Sequence, residues 1–158
     1  VVCSDHGQSH VTRTAQLDAG GDLVTASNRA AMVYTDDPRA VATRLETQPA
    51  AGLVLFYEDG ELVVRRGRDE DVSLLDDIPD GRARVEAALH NPNAGEVLVS
   101  AASGWEFADL AGRHHLGGGS HGSLEIADSE VPMLTVGLGV PPSSITGIKG
   151  VVKEHFGV

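Results

Sequence analysis

The sequence has a single cysteine, few basic residues and no long apolar run, and each of these shortages excludes a class of protein. One cysteine, Cys3, excludes an internal disulfide. Only 12 lysines and arginines stand against 23 aspartates and glutamates, giving a net charge of −11. This balance argues against a nucleic-acid duplex as a partner, because phosphate backbones are bound mainly by basic patches. No segment approaches the roughly 20 apolar residues that a membrane span needs.

The chain also lacks a signal peptide and an initiator methionine, so the sequence leaves its cellular localisation undetermined. Its 158 residues are enough for one domain with a core and too few to expect two. With 41% apolar and 22% charged residues, the composition is that of a folded globular protein. Because the first residues already read as a buried strand, we expect the chain to be a fragment of a longer protein.

The first residues place an acidic residue and a histidine at the end of a predicted strand. Val1 to Ser4 is a short apolar run, rich in β-branched residues and followed by Gly7. This pattern predicts a buried strand with Cys3 in the core. Asp5 and His6 would then lie at its carboxyl end, the edge of an open α/β sheet at which ligands bind. A carboxylate beside an imidazole suits a divalent metal ion, but such pairs also form hydrogen bonds in ordinary loops.

The middle of the chain has the signals of a small α+β lobe over residues 23–90. Leu23 to Tyr34 reads as strand with an interruption near Asn28. Asp37-Pro38 predicts a helix start, since proline in the first turn gives up no hydrogen bond. Asp59-Gly60 between two apolar runs predicts a hairpin. Beyond the lobe, strands are predicted over 96–102 and 131–138, and apolar residues at helical spacing predict a last helix over 145–156.

The most unusual stretch is the glycine-rich segment from Leu116 to Leu124, which contains His121. Its glycines let the backbone approach another group closely and adopt positive φ. Structure alone often requires such loops. A histidine in the middle of one makes His121 a candidate metal ligand or catalytic residue.

Other interpretations of this segment fit less well. Gly118 to Gly122 matches the G-x-S-x-G nucleophile elbow of serine hydrolases, but that motif requires a strand directly before the serine and a helix directly after it. Neither flank fits here. A phosphate-binding P-loop would need a lysine that is absent. His114 and His115 are adjacent, so at most one of them would join a site, and we interpret both as loop residues.

Taken together, Ser4-Asp5-His6-Gly7 and Gly119-Ser120-His121-Gly122-Ser123 resemble the alkaline phosphatase superfamily, and within it the type I phosphodiesterase and nucleotide pyrophosphatase family. The resemblance implies an α/β fold, part of an α/β/α alkaline-phosphatase-like sandwich. Residues 1–158 would be the C-terminal portion of one domain, with 23–90 as an inserted α+β lobe. It also implies that Asp5 and His6 bind one of two divalent metal ions, Zn²⁺ or Mn²⁺, and that His121 binds the other.

The resemblance further implies that the full-length protein is a metal-dependent hydrolase of a small-molecule phosphate ester. A phosphodiester or a nucleotide is the first expectation for the substrate, while phosphomonoesters and phosphosugar mutase chemistry stay open. The family also needs a threonine or serine nucleophile and further Asp and His ligands, none of which can be placed in this chain. We expect them in a missing N-terminal part of the same protein, and we expect the fragment alone to be inactive, with its metal ions not necessarily retained. The alternative is a non-catalytic structural or degenerate domain of the same fold.

Overall fold

The computed structural model describes residues 1–158, which form many short strands and few helices. The strands are β1 (Val2–Cys3), β2 (Ser9–His10), β3 (Arg13–Ala15), β4 (Leu23–Ser27), β5 (Ala30–Tyr34), β6 (Ala51–Glu58), β7 (Glu61–Arg66), β8 (Asp69–Glu70), β9 (Val97–Ala101), β10 (Trp105–Phe107), β11 (Gly119–Ser120) and β12 (Met133–Leu134). The α-helices are α1 (Pro38–Leu45), α2 (Gly81–Leu89), α3 (Ile126–Ser129) and α4 (Ile148–Phe156), and 3₁₀ helices span Val72–Leu75 and Ile145–Gly147.

The largest sheet has six strands in the order β4-β5-β9-β6-β7-β8, and every neighbouring pair is antiparallel. Two tight connections explain this arrangement. Asn28-Arg29 joins β4 to β5, and Asp59-Gly60 joins β6 to β7. Two-residue connections join antiparallel strands, whereas parallel strands need a long crossover. The predicted hairpin at Asp59-Gly60 and the predicted interruption at Asn28 are both confirmed.

Both faces of this sheet are buried. On one face Phe56 of β6 belongs to the same apolar cluster as Leu45 of α1. On the other face Leu55 clusters with Val85 of α2. Since successive side chains of a strand point to opposite faces, a strand covered on both sides reads as a continuous apolar run.

The predicted α/β/α sandwich with an α+β insertion is wrong. The sheet is antiparallel, the helices are short, and β9 lies between β5 and β6, so strands from within and beyond residues 23–90 share one sheet. The α/β/α architecture was expected from the resemblance of two short motifs, and the continuous apolar runs of β6 and β9 do not distinguish it from an antiparallel sheet. Such runs report burial on both faces of a sheet, and they do not report the direction of its strands.

The start of the chain also differs from the prediction. Strand β1 contains only Val2 and Cys3, both exposed, and it pairs only with β12. The predicted buried strand over Val1 to Ser4 is therefore wrong, and Cys3 is an exposed free cysteine and not a core residue. A run of four residues, three of them apolar, is too short to specify what covers it.

Three two-stranded sheets pair the N-terminal segment with residues 105–134: β1 with β12 and β2 with β11 are antiparallel, and β3 with β10 is parallel. The predicted helix start is confirmed, because α1 begins at Pro38 and the Asp37 carboxylate accepts a hydrogen bond from Ala40 N at 2.9 Å. The predicted last helix is confirmed as α4, with a 3₁₀ turn before it.

None of the helices is both long and apolar enough to cross a membrane.

Leu55→Ala should lower the free energy of unfolding by about 2–5 kcal/mol, because the side chain is fully buried and its removal leaves a cavity. Urea denaturation measures this change. Leu23→Ala, the same substitution at a position that is 57% exposed, is the matched control and should cost less than about 0.5 kcal/mol. Equal losses in the two variants would contradict the assignment of Leu55 to the core.

Candidate functional site

The candidate site forms where two segments from opposite ends of the sequence meet. His6 follows β1 and His121 follows β11, and their rings are stacked with centroids 3.5 Å apart and an interplanar angle of 14°. The carboxylate of Asp5 is beside them, with Oδ2 3.5 Å from His6 Nε2. The structure thus places Asp5 against His6 and His6 against His121, the three residues that the sequence analysis selected.

Hydrogen bonds orient both rings. His6 Nδ1 lies 2.8 Å from the carbonyl oxygen of Gly7. A carbonyl only accepts, so we infer that Nδ1 carries the proton and that the neutral ring keeps its lone pair on Nε2. His121 Nε2 lies 3.2 Å from the amide nitrogen of Asn28, which only donates. Nε2 is therefore the accepting atom of His121, whereas Nε2 of His6 faces the Asp5 carboxylate at 3.5 Å. In the neutral form, the form in which imidazole binds metals, each ring would present Nε2 as its donor atom to an ion.

Glycines allow both histidine segments to adopt these positions. A Cβ on Gly7 would lie 1.9 Å from the carbonyl oxygen of Ala127, so any side chain there would push the His6 segment off α3. Gly122, directly after His121, has φ +105°, which other residues rarely adopt. One glycine is required by a close contact and the other by its backbone conformation.

A buried ion pair adjoins the two histidine segments. The Arg29 side chain is fully buried, and its Nη1 donates to both carboxylate oxygens of Asp128 at 2.8 Å. Its Nη2 donates to Glu125 Oε2 at 2.6 Å. The backbone N of Arg29 donates to the carbonyl oxygen of His121 at 3.0 Å. The sequence analysis missed Arg29 and Asp128, because an arginine in a turn and an acidic residue in a polar segment are typical of a protein surface.

A second buried carboxylate, Glu106, orients His115. Glu106 accepts hydrogen bonds from His115 Nδ1 at 2.6 Å and from Ser120 Oγ at 2.7 Å. Burial raises the pKa of Glu106, but the hydrogen bonds from His115 and Ser120 outweigh burial and hold that pKa below its usual value of 4.5. His115 is thus an anchored loop residue. Because the Ser120 hydroxyl donates to a carboxylate and not to a histidine, the serine-hydrolase interpretation gains no support.

The donors at the histidine pair fit a divalent metal ion in type but not in number. Two imidazoles and a carboxylate suit Zn²⁺, which usually takes about four ligands. The Asp5 side chain is 79% exposed and is accessible to an ion. However, the structure contains no group of three or more His, Cys, Asp or Glu side chains that could hold one. A complete metal centre at His6 and His121 therefore needs further ligands.

Comparisons of the chain with protein-family models, with curated proteins and with solved structures found no match. The function of the chain is therefore inferred from the geometry of Asp5, His6 and His121.

The free energy of unfolding should fall as the pH drops below 4.5, in part because of Glu106. Its pKa is lowered in the folded protein, so the carboxylate stabilises the fold above the unfolded-state value, and this contribution is lost as the pH falls through the folded-state pKa. Glu106→Gln removes the titrating group and should flatten the pH dependence. Urea denaturation between about pH 3 and pH 7 measures it. Glu154→Gln, at an exposed position of α4, should keep the wild-type profile. An equally steep profile for Glu106→Gln would contradict the role of this carboxylate.

Proposed function

We propose that this chain supplies half of a two-metal site in a metal-dependent hydrolase of phosphate esters, of phosphodiesterase or nucleotide pyrophosphatase type. The observation that carries the proposal is the stacking of His6 on His121 at 3.5 Å, with Asp5 alongside. These are the residues to which the resemblance to the alkaline phosphatase superfamily gives metal ligation. The proposal concerns the site and not the α/β/α architecture, since function resides in the geometry of a site and not in the fold that carries it.

The two rings are close enough to serve neighbouring ions. The metals of a two-metal site lie about 4 Å apart, and ring centroids 3.5 Å apart place both histidines within reach of such a site. Asp5 and His6 would hold one ion. His121 would hold the other through Nε2, the nitrogen that Asn28 contacts in this structure, so the Asn28 amide would have to move aside.

The charge of the chain also supports a role for cations. With a net charge of −11, the chain would repel an anionic phosphate ester unless bound metal ions reversed the local sign. The chemistry that Zn²⁺ or Mn²⁺ supplies in such a site is Lewis acidity, which activates a nucleophilic hydroxyl and offsets the charge of the transferring phosphoryl group. The task of Asp5, His6 and His121 is to bind and orient the ions.

The nucleophile and the remaining ligands would come from polypeptide outside residues 1–158, which the resemblance places on the N-terminal side. An exposed apolar surface next to the site is suited to contact with such a segment. Val2 of β1 is 68% exposed, and its cross-strand partner Leu134 of β12 is 64% exposed. Because β1 leads directly into Asp5 and His6, polypeptide that covers β1 would lie beside the proposed metal ions.

His121→Ala should lower zinc content and hydrolysis together in a protein that combines this chain with the missing ligands. We expect the rate to fall by about 100-fold or more, since loss of even an outer partner of a metal ligand costs about 10- to 100-fold. Metal analysis and hydrolysis of bis-p-nitrophenyl phosphate measure the two effects. The chain of residues 1–158 alone should hydrolyse no phosphate ester.

His155→Ala is the matched control, because His155 is exposed on α4 and should affect neither quantity. Unchanged zinc stoichiometry in His121→Ala would remove His121 from the site. If neither zinc content nor rate changed, a non-catalytic structural role for the domain would be favoured.

A further inference from the structure

Asp128 of α3 connects the segments that carry the two histidines. Its side chain is 1% exposed. Oδ1 accepts a hydrogen bond from Ser9 Oγ at 2.5 Å, and Oδ2 accepts from Ser123 Oγ at 2.6 Å and from Ser123 N at 2.9 Å. Ser9 lies shortly after His6, and Ser123 lies shortly after His121. One carboxylate therefore binds both segments.

The backbone of Asp128 and its partner Arg29 add two further connections. The carbonyl oxygen of Asp128 accepts from Gly7 N, directly after His6, at 3.0 Å. Arg29, held by the Asp128 carboxylate at 2.8 Å, donates its own backbone N to the carbonyl oxygen of His121 at 3.0 Å. Each ring is thus attached to a backbone that Asp128 restrains directly or through Arg29.

The charge state of this side chain matters because all its partners are donors. A carboxylate has only acceptor sites, which match the N–H and O–H groups of Ser9, Arg29 and Ser123. An asparagine in its place would turn an NH₂ group toward one of these donors, and at least one N–H or O–H would lose its acceptor. The size of the side chain would hardly change.

We propose that Asp128 is a positioning residue that sets the separation of the His6 and His121 rings, and through it the capacity of the pair to bind metal ions. The effect of Asp128 on ring separation follows from the contacts above, whereas its effect on metal binding rests on the proposed function.

Asp128→Asn tests the proposal in the chain of residues 1–158. NMR cross-relaxation between the ring protons of His6 and His121 should be present in the wild type and lost in the variant. In a protein that combines this chain with the missing ligands, zinc affinity measured by calorimetry should fall by about tenfold or more. Asp18→Asn makes the same chemical change in the exposed Asp18–Arg44 pair, 2.7 Å apart, and should alter neither readout. Leu45→Ala removes a fully buried side chain from the α1 face of the sheet, whereas Leu124 of the His121 segment belongs to the apolar cluster on the other face. This variant should lower stability but keep the inter-ring signals, which separates general destabilisation from positioning.

Ser9→Ala and Ser123→Ala each remove one hydroxyl group that donates a hydrogen bond to the Asp128 carboxylate. They serve as second variants if Asp128→Asn does not fold. Both should weaken the inter-ring signals while the circular dichroism spectrum stays native. Unchanged signals in folded Asp128→Asn, or in both serine variants, would overturn the proposal. If the signals are lost in Asp128→Asn but the wild-type chain, combined with the missing ligands, takes up no zinc at these histidines, Asp128 still positions the rings and the proposed function is what fails.

Discussion

The buried ion pair between Arg29 and Asp128 is the interaction on which the rest of the site depends. A charge without access to water is stable only when it is paired and hydrogen-bonded, and removal of one partner costs about 3–5 kcal/mol. Arg29 lies in the β4–β5 turn of the central sheet and Asp128 lies on α3. The pair therefore attaches the segment that contains His121 and α3 to the sheet. The His6 segment is attached to Asp128 of α3 through Gly7 and Ser9.

The parts of the fold that could be predicted from the sequence are those that a few neighbouring residues determine. Asp37 caps α1, Asp59-Gly60 forms a hairpin turn, and apolar spacing specifies α4. The position of β9 between β5 and β6 depends on pairing between distant segments, which no local pattern contains. The α/β/α prediction failed because it came from the resemblance of two short motifs, which do not determine how distant strands pair.

The candidate site shows the same division. Asp5 and His6 could be selected because they follow a predicted strand, and His121 because it lies in a glycine-rich segment. Their metal-binding role stays a prediction. Arg29, Glu106 and Asp128 could not be selected, since charged residues are rarely buried and only the tertiary structure shows that these are. The residues with reactive side chains were visible in the sequence, whereas those that hold them in place were not.

The central claim is that His6 and His121 bind metal ions side by side. Its most direct test is a zinc titration of a protein that combines this chain with the missing ligands, followed by nitrogen NMR of the imidazole rings. We predict that the Nε2 resonances of His6 and His121 move together along one binding curve, while those of the exposed His10 and His155 stay in place. Nε2 resonances of His6 and His121 that do not move, or that move only along with those of the exposed histidines, would contradict the claim.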